Sequence, residues 1–270
     1  MGETAVLLLA HGSPDPDWLE LVESAVRQCR LDLPVRVAFL GGVEGRSIPE
    51  ERERLERTGA KRIIAVPLFV TAGSSHVNEI RELLGMDNEH PEAASIPCRQ
   101  GRSRIVWCSP LEDHPVVEKI VASRIQTLAR NPRAESLLLV GHGNESAVGG
   151  AKWDRMLQRL TLRLQNRFLF AGAGYGTLRP DTLREQARLL ADKGELIVVP
   201  LFVSQGYFTR KAIPQKLDGL CYRYDGSAYL PHPLVAEWIS QSVRAAVGND
   251  FFTQRGVYEN GREKTVEMGR

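Results

Sequence analysis

Two histidines, His11 and His76, stand where an apolar stretch gives way to small and polar residues. His11 ends the stretch "VLLLAH", and His76 follows "VPLFVTAGSS" much later in the chain. A neutral imidazole can bind a divalent metal through one ring nitrogen, or take up a proton near neutral pH. These residue types therefore indicate metal binding, proton transfer or both, provided that the fold brings the two rings together.

Apolar runs that alternate with helical patterns supply the elements that would position these histidines. Strands buried on both faces are predicted for "AVLLLA", "VRVAFL", "KRIIAVPLFV" and "SRIVWCS". The intervening segments "DWLELVESAVRQC", "PEERERLERTG" and "VNEIRELLG" have the spacing or the end signals of helices. Such alternation predicts a parallel sheet, and ligands bind beyond the carboxyl ends of its strands. His11 and the segment 71–76 are therefore expected at the same edge.

The same landmarks occur twice along the chain, in the same order. The first half contains "VLLLAHGS", "IIAVPLFV" and "DHPVVEKIVASRI", which match "LLLVGHGN", "LIVVPLFV" and "PHPLVAEWISQSV" in the second half. Three ordered matches predict two related α/β domains, residues 1–128 and 129–249, followed by a polar tail over 250–270. Residues 86–103 are predicted to form a surface loop.

Each histidine also has a purely structural interpretation. The turn after His11 can be a plain strand-to-helix connection, with Gly12 giving backbone freedom and Ser13 capping the next helix. His142 repeats this turn in the second half, which lacks a second histidine at the place of His76. Three further histidines lie beside prolines and are interpreted as structural: His90, His114 and His232.

Composition and missing motifs exclude several other classes of function. Hydrophobic residues make up 43% of the chain and charged residues 25%, as in soluble globular proteins, and the net charge of +2 gives no indication of nucleic acid binding. Four cysteines without a CxxC pair indicate reduced thiols and a cytoplasmic protein, and no apolar run approaches the length of a membrane span. A nucleophile elbow and a phosphate-binding glycine motif are both missing, which argues against a serine hydrolase or a nucleotide-binding enzyme.

Taken in order, the motifs resemble the class II tetrapyrrole chelatases, the CbiX/SirB family of sirohydrochlorin chelatases. The family's "HGS" strand end and its "VPLF" strand with a following glycine and histidine are here "LLLAHGS" and "VPLFVTAGSSHVNEI". The segments "PLFVSQGYFTRKAIP" and "YLPHPLVAEWI" resemble the degenerate second domain of two-domain members. This resemblance covers residues 4–247. It implies two tandem flavodoxin-like, chelatase-type domains around one shared cleft, in a chain that is a monomeric pseudo-dimer.

The resemblance implies insertion of Co²⁺ or Fe²⁺ into sirohydrochlorin for cobalamin or sirohaem biosynthesis, without an organic cofactor. His11 and His76 would be the catalytic and metal-binding residues. Many family members have a glutamate directly after the second strand, whereas this chain has glycine there. Glu44, Glu79 and His142 are the supporting candidates. Two alternatives stay open: a chelatase for another tetrapyrrole, and a non-catalytic carrier of metal or tetrapyrrole.

The carboxylate-rich macrocycle would need cationic and small residues around it. Arginine suits carboxylate recognition, and the predicted rim consists of Arg46, Arg81, Arg99 and Arg102. Small residues would let a flat macrocycle approach the backbone closely: Ala72, Gly73, Ser74 and Ser75. In the second half, Tyr207 and Phe208 are interpreted either as an aromatic wall of the cleft or as core residues.

Overall fold

A computed structural model describes residues 3–86 and 102–259, with side chains described up to residue 248. His90, Cys98, Arg99 and nearly all of the predicted loop 86–103 lie outside the described residues. The first half contains β1 (Thr4–Ala10), α1 (Pro16–Arg27), β2 (Val35–Phe39), α2 (Ile48–Arg57), β3 (Arg62–Pro67), α3 (Ser75–Leu83), β4 (Arg104–Trp107) and α4 (Pro115–Leu128). The second contains β5 (Glu135–Gly143), α5 (Ala147–Phe168), β6 (Gly172–Arg179), α6 (Leu183–Ala191), β7 (Glu195–Pro200), α7 (Ile213–Lys216), β8 (Tyr222–Arg223) and α8 (Leu234–Glu259). A 3₁₀ turn (Pro132–Ala134) precedes β5, and a π-helical turn (Phe208–Ala212) precedes α7.

Each half forms a four-stranded sheet in which every pairing is parallel. The strand orders are β2-β1-β3-β4 and β6-β5-β7-β8, so β1 and β3 in one sheet occupy the places of β5 and β7 in the other. The two parallel sheets predicted from the sequence are therefore confirmed. Because β1 and β3 are adjacent, with Leu9 opposite Pro67, the chain leaves both strands at one edge of the sheet.

Helices exchanged between the halves join the two sheets. α4, which follows the first sheet, contacts β7 of the second, and α8, which follows the second sheet, contacts β3 of the first. The guanidinium of Arg62 donates to the carbonyl of Ala246 at 2.6 Å across this junction. One buried cluster accordingly contains apolar residues of both halves, among them Leu8, Leu139 and Trp238. This shared core holds the two sheet edges in a fixed relation.

Ion pairs from α5 to α4 and to the residue Asp113 just before it reinforce the same junction. Arg163 donates to Asp113 at 2.8 Å and to Glu118 at 2.9 Å. Burial opposes the charge of Asp113, but its bonds to Arg163 and the nearby Arg159 hold its pKa below the usual range. The division at residue 128 stays a prediction. α8 continues to Glu259, into the segment 250–270 that the sequence interpretation treats as a polar tail.

Along residues 3–86 and 102–259, no helix is both long enough and apolar enough to cross a membrane.

Candidate functional site

The histidines singled out in the first half lie together beyond the carboxyl edge of its sheet. His11 directly follows β1, and His76 is the second residue of α3, which begins after the turn that leaves β3. Their ring centres are 4.6 Å apart, with an angle of 75° between the ring planes. The two residues are far apart in sequence, and they meet because β1 and β3 are neighbouring parallel strands.

This separation suits two imidazoles bound to one ion. With a metal–nitrogen bond of about 2.1 Å, the centre of an imidazole ring lies about 3.2 Å from the ion. If the two metal–nitrogen bonds form an angle of about 90°, the two ring centres lie about 4.6 Å apart. The Nδ1–H of His11 donates to the carbonyl of Gly12 at 2.8 Å, which leaves the unprotonated Nε2 of that ring free to bind a metal. Nδ1 of His76 faces the carboxylate of Glu79 at 3.5 Å, so Nε2 is again the free atom. Glu79 thus contacts His76 from the next turn of α3.

Among the described residues, the protein ligands to such an ion would be these two imidazoles. Among residues 3–86 and 102–248, no group of three His, Cys, Asp or Glu side chains is placed to hold a metal. Glu44 is exposed and does not line the cleft, although the sequence interpretation made it a candidate in place of the family's glutamate. A two-nitrogen site leaves most coordination positions of the ion open to a second ligand such as a macrocycle.

A cleft of about 440 Å³ opens beside the histidines and is lined by both halves. Its walls are mainly apolar: the first half contributes Trp18 and residues 68–70, and the second contributes Trp153 and residues 201–203. The polar lining groups include Ser74, Ser75, His142 and Asn144. The shared cleft predicted from the sequence is therefore present.

In the second half an aromatic ring takes the place of His76. Phe208 packs edge-on against His142, with ring centres 5.0 Å apart and an angle of 84°, which repeats the relation of the two histidines. The Nδ1–H of His142 likewise donates to the carbonyl of Gly143, at 3.0 Å. Phe208 stacks on Phe202 with centres 5.8 Å apart and borders the cleft. The second copy therefore offers one imidazole and an aromatic wall.

Tyr207 is not a core residue. It is 64% exposed and contacts the edge of Phe208, with ring centres 5.6 Å apart, but it does not line the cleft. Of the two aromatic residues predicted for this region, Phe208 forms the wall and Tyr207 covers it from outside.

The structure does not bring the described members of the predicted arginine rim to the cleft. Arg46 pairs with Glu23 and lies over the ring of Phe39, on a surface away from the cleft. Arg81 is buried above Trp107, with its guanidinium carbon 5.4 Å from the ring centre. Arg102 lies just before β4, at the amino end of that strand and so at the opposite edge of the sheet. These cations are placed by neighbouring side chains and strand direction, which composition does not reveal.

Among the described arginines, the one that borders the cleft is Arg179, the last residue of β6. A side chain on Gly12 would meet the carbonyl oxygen of Gly41 at 1.8 Å, and one on Gly143 would meet that of Arg179 at 2.0 Å. Arg179 is therefore the counterpart of Gly41, where the family's glutamate is expected. Among the described side chains it has no ion-pair partner. Its sequence signal is its position at the end of "GAGYGTLR", the counterpart of "VRVAF".

Arg179 also separates the cleft from a second cavity. This cavity, of about 370 Å³, lies between β6, α5 and α6 and contains the polar groups of Asp154, Tyr175 and Gln186. Arg179 consequently lines both spaces.

The small residues before His76 have two different roles. Ser74 and Ser75 line the cleft, as expected for a close approach of a ligand. Ala72 and Gly73 do not line it. Gly73 is buried, and a Cβ there would come within 2.6 Å of the carbonyl oxygen of Gly149 and 2.9 Å of Trp153. The expectation for Gly73 is thus corrected: its missing side chain admits the second half of the chain, not a macrocycle.

Two of the remaining histidines are structural, as predicted. Nδ1 of His114 accepts the backbone N–H of Val116, and Nδ1 of His232 accepts that of Leu234, both at 3.2 Å. Each ring therefore caps the start of a helix. Burial lowers the pKa of both imidazoles.

Comparison with known proteins identifies relatives of this arrangement. The model of the CbiX family matches residues 5–128 and 136–246, which covers both halves. A sirohydrochlorin cobaltochelatase of Methanothermobacter thermautotrophicus is 28% identical over 130 residues, spanning 45% of this chain and 90% of that protein. A probable sirohydrochlorin cobaltochelatase of Halobacterium salinarum is 21% identical over 230 residues, spanning 78% of this chain and 75% of that protein. The structure of SirB from Bacillus subtilis with Fe³⁺ superposes with a TM-score of 0.72 at 19% identity, covering 92% of this chain and 96% of that one.

Proposed function

The chain belongs to the CbiX family, and we propose from this membership that it is a sirohydrochlorin chelatase that inserts Co²⁺, with Fe²⁺ as the alternative metal. The observation that carries the proposal is the pair of imidazoles, His11 and His76, with ring centres 4.6 Å apart at one end of a mainly apolar cleft. The names of the two cobaltochelatase relatives favour cobalt, whereas the structure of SirB is with Fe³⁺. The metal is a substrate here, and no organic cofactor is proposed.

In this proposal the two free Nε2 atoms hold the hydrated ion at the end of the cleft. The macrocycle lies between the halves, with one face toward Phe202 and Phe208. As the ion passes to the four pyrrole nitrogens, two N–H protons must leave the macrocycle. The imidazoles released by the metal can accept these protons, because each neutral ring has a basic nitrogen that is free once its bond to the metal is broken. Since both rings are partly exposed, the protons can then pass to water.

Arg179 is proposed to hold one carboxylate of the macrocycle. It borders the cleft and has no acidic partner among the described side chains, so a substrate carboxylate can form a charge-assisted hydrogen bond with it. This replaces the predicted role of Arg46, which already pairs with Glu23.

Metal insertion followed by ultraviolet–visible spectroscopy tests the proposal. Purified protein is mixed with sirohydrochlorin and Co²⁺, Fe²⁺ or Ni²⁺, and the rate is compared with the spontaneous reaction. We expect the wild type to accelerate insertion, and His11→Ala and His76→Ala to reduce the rate to near the spontaneous one. His142→Ala is the matched control and should stay within a few-fold of wild type, because Phe208 provides no second ligand beside it. Equal losses from His11→Ala and His142→Ala would contradict a single catalytic set.

A carrier function is the second candidate, and the absence of a third protein ligand among the described residues favours it. Spectral changes that show binding of sirohydrochlorin or metal without acceleration would identify a carrier. Faster insertion into a different tetrapyrrole would identify a chelatase with another substrate.

A further inference from the structure

The turn that carries His76 is held by side chains from two distant parts of the chain. This turn, residues 71–74, is the last part of the connection from β3 to α3. The N–H of Ala72 donates to the carboxylate of Glu112 at 2.6 Å, and the carbonyl of Gly73 accepts from Nδ2 of Asn144 at 2.8 Å. Two successive residues of the turn are thus bound on one side by the segment after β4, and on the other by the second half.

The backbone and the carboxylate of Glu112 both form hydrogen bonds at this turn. Its backbone has a φ of +48°, a left-handed conformation that is unusual for a residue with a side chain, and its N–H donates to the carbonyl of Val70 at 2.8 Å. Among the described residues no ion pair satisfies this carboxylate, so its hydrogen bonds go to the turn. The surroundings therefore sustain a strained backbone that aims Glu112 at Ala72.

Asn144 is oriented from both ends of its amide. Oδ1 accepts the N–H of Ser146 at 2.8 Å, which fixes the side chain at the start of α5 and directs Nδ2 toward Gly73. The close approach of Gly149 to Gly73 holds the two backbones together at this point.

The repeat provides an internal comparison. Ser13 is the counterpart of Asn144 in the first half. Among the described residues, its hydroxyl accepts the N–H of the nearby Asp15 and has no hydrogen bond to the second half. In the second copy of the turn, Gly206 is exposed, and a Cβ added there would have no atom within 4 Å. The turn that leads into His76 is thus bound from both halves of the chain, whereas the hydrogen bonds described for the second copy stay within its own half, as in the bond from Gln205 to Gly226.

We propose that Glu112 and Asn144 are positioning residues that set the place of the His76 imidazole relative to His11. The inference rests on the proposed role of His76 as a metal ligand. His76 lies two residues beyond Ser74, the residue that precedes α3, so a shift of the turn moves the start of the helix and its ring. The second half, in this view, contributes to the metal site through Asn144, although it lacks a second metal ligand of its own.

Binding of Co²⁺ alone, measured by calorimetry and by the visible absorption of the bound ion, tests the inference. Loss of groups that orient metal ligands typically costs about 10–100-fold in metal affinity. We expect losses in this range for Glu112→Ala and for Asn144→Asp, which keeps the acceptor for Ser146 but removes the donor to Gly73. Glu112→Gln keeps an acceptor for Ala72 and should restore affinity to within a few-fold of wild type.

Controls separate this inference from the proposed function and from general loss of structure. Gln205→Ala removes a side-chain bond to Gly226 (3.1 Å) beside the second copy of the turn and should leave Co²⁺ affinity unchanged. Sirohydrochlorin binding should also be unchanged in Glu112→Ala; a parallel loss of both affinities would mean a merely structural role and overturn the inference. If Glu112→Ala does not fold, Asn144→Asp decides alone. Co²⁺ binding unaffected by His76→Ala would overturn the proposed site itself, whereas binding that needs His76 but tolerates Glu112→Ala and Asn144→Asp would overturn only the positioning role.

Discussion

Substituting Gly73 by alanine should test whether the contact between the two halves supports the metal site. The added Cβ would lie 2.6 Å from the carbonyl oxygen of Gly149, 2.9 Å from Cδ1 of Trp153 and 3.2 Å from Cβ of Lys152. The first of these neighbours is backbone at the start of α5, and the second is a buried indole. Moving either neighbour would disturb a helix or the buried core, so the turn before His76 must shift instead.

The size of the effect follows from overpacking. An extra methyl in a well-packed region typically costs about 1–3 kcal/mol. The loss of backbone freedom in the unfolded chain offsets about 0.4–1 kcal/mol of this cost. The net destabilisation should be about 1–2 kcal/mol, and a protein of this size loses about 2–4 °C in melting temperature for each kcal/mol. We therefore expect Gly73→Ala to melt about 2–8 °C below wild type.

The repeat supplies a matched control in Gly206, the corresponding glycine of the second copy. A Cβ on Gly206 would have no neighbour within 4 Å, and neither glycine has a left-handed φ. Gly206→Ala should therefore melt at or slightly above the wild-type temperature. Thermal unfolding followed by circular dichroism compares the two variants, and calorimetry with Co²⁺ measures their metal affinity. Gly73→Ala should also bind Co²⁺ more weakly, because the displaced turn carries His76.

Equal behaviour of Gly73→Ala and Gly206→Ala would refute this reasoning. A stable Gly73→Ala protein with unchanged Co²⁺ affinity would mean that the second half does not press on the turn. A destabilised protein with unchanged affinity would mean that the packing supports the fold but not the position of His76.

Three further outcomes are expected. Arg179→Ala should weaken sirohydrochlorin binding by about tenfold in spectral titrations without changing Co²⁺ affinity, because it removes one charge-assisted bond to a carboxylate; unchanged binding would show that the arginine does not face the substrate. Burial lowers the pKa of the helix-capping His114 and His232, so these two side chains contribute stability above the ordinary histidine pKa of about 6.5, and this contribution should be lost as the pH falls below that value. Replacing both histidines by asparagine, which can also cap a helix, should make the free energy of unfolding depend less on pH in denaturant titrations between pH 7 and 5. Burial raises the pKa of the Cys108 thiol to about 12, whereas Cys221 is exposed, so peptide mapping after brief alkylation of the native protein should find label on Cys221 and none on Cys108; early label on Cys108 would show that this part of the shared core opens.

The repeated α/β pattern and the meeting of two histidines were predictable from the sequence, because both depend on local properties. Buried parallel strands appear as continuous apolar runs, and the chain leaves each of them at the same edge of the sheet. His11 directly follows one such run, and His76 follows the turn after another. Their approach to a ring-centre distance of 4.6 Å therefore required only that β1 and β3 be neighbours.

Which residues surround the two histidines depended on contacts between distant segments of the chain. Arg46 and Arg179 have the same side chain, but Glu23 holds the first outside the cleft while the second borders it without an acidic partner among the described side chains. Gly73 is small enough to let a ligand approach the backbone, but Trp153 and Gly149 of the second half occupy the space beside it.

What the sequence by itself determined is thus the two sheets and the edge at which their histidines lie. The tertiary structure decided which charges face the cleft, that α4 and α8 pack on the opposite sheets, and that Glu112 and Asn144 bind the turn before His76. The physical reason is range. Strand patterns and turns act over a few residues, whereas each of these contacts forms between segments that only the shared core brings together.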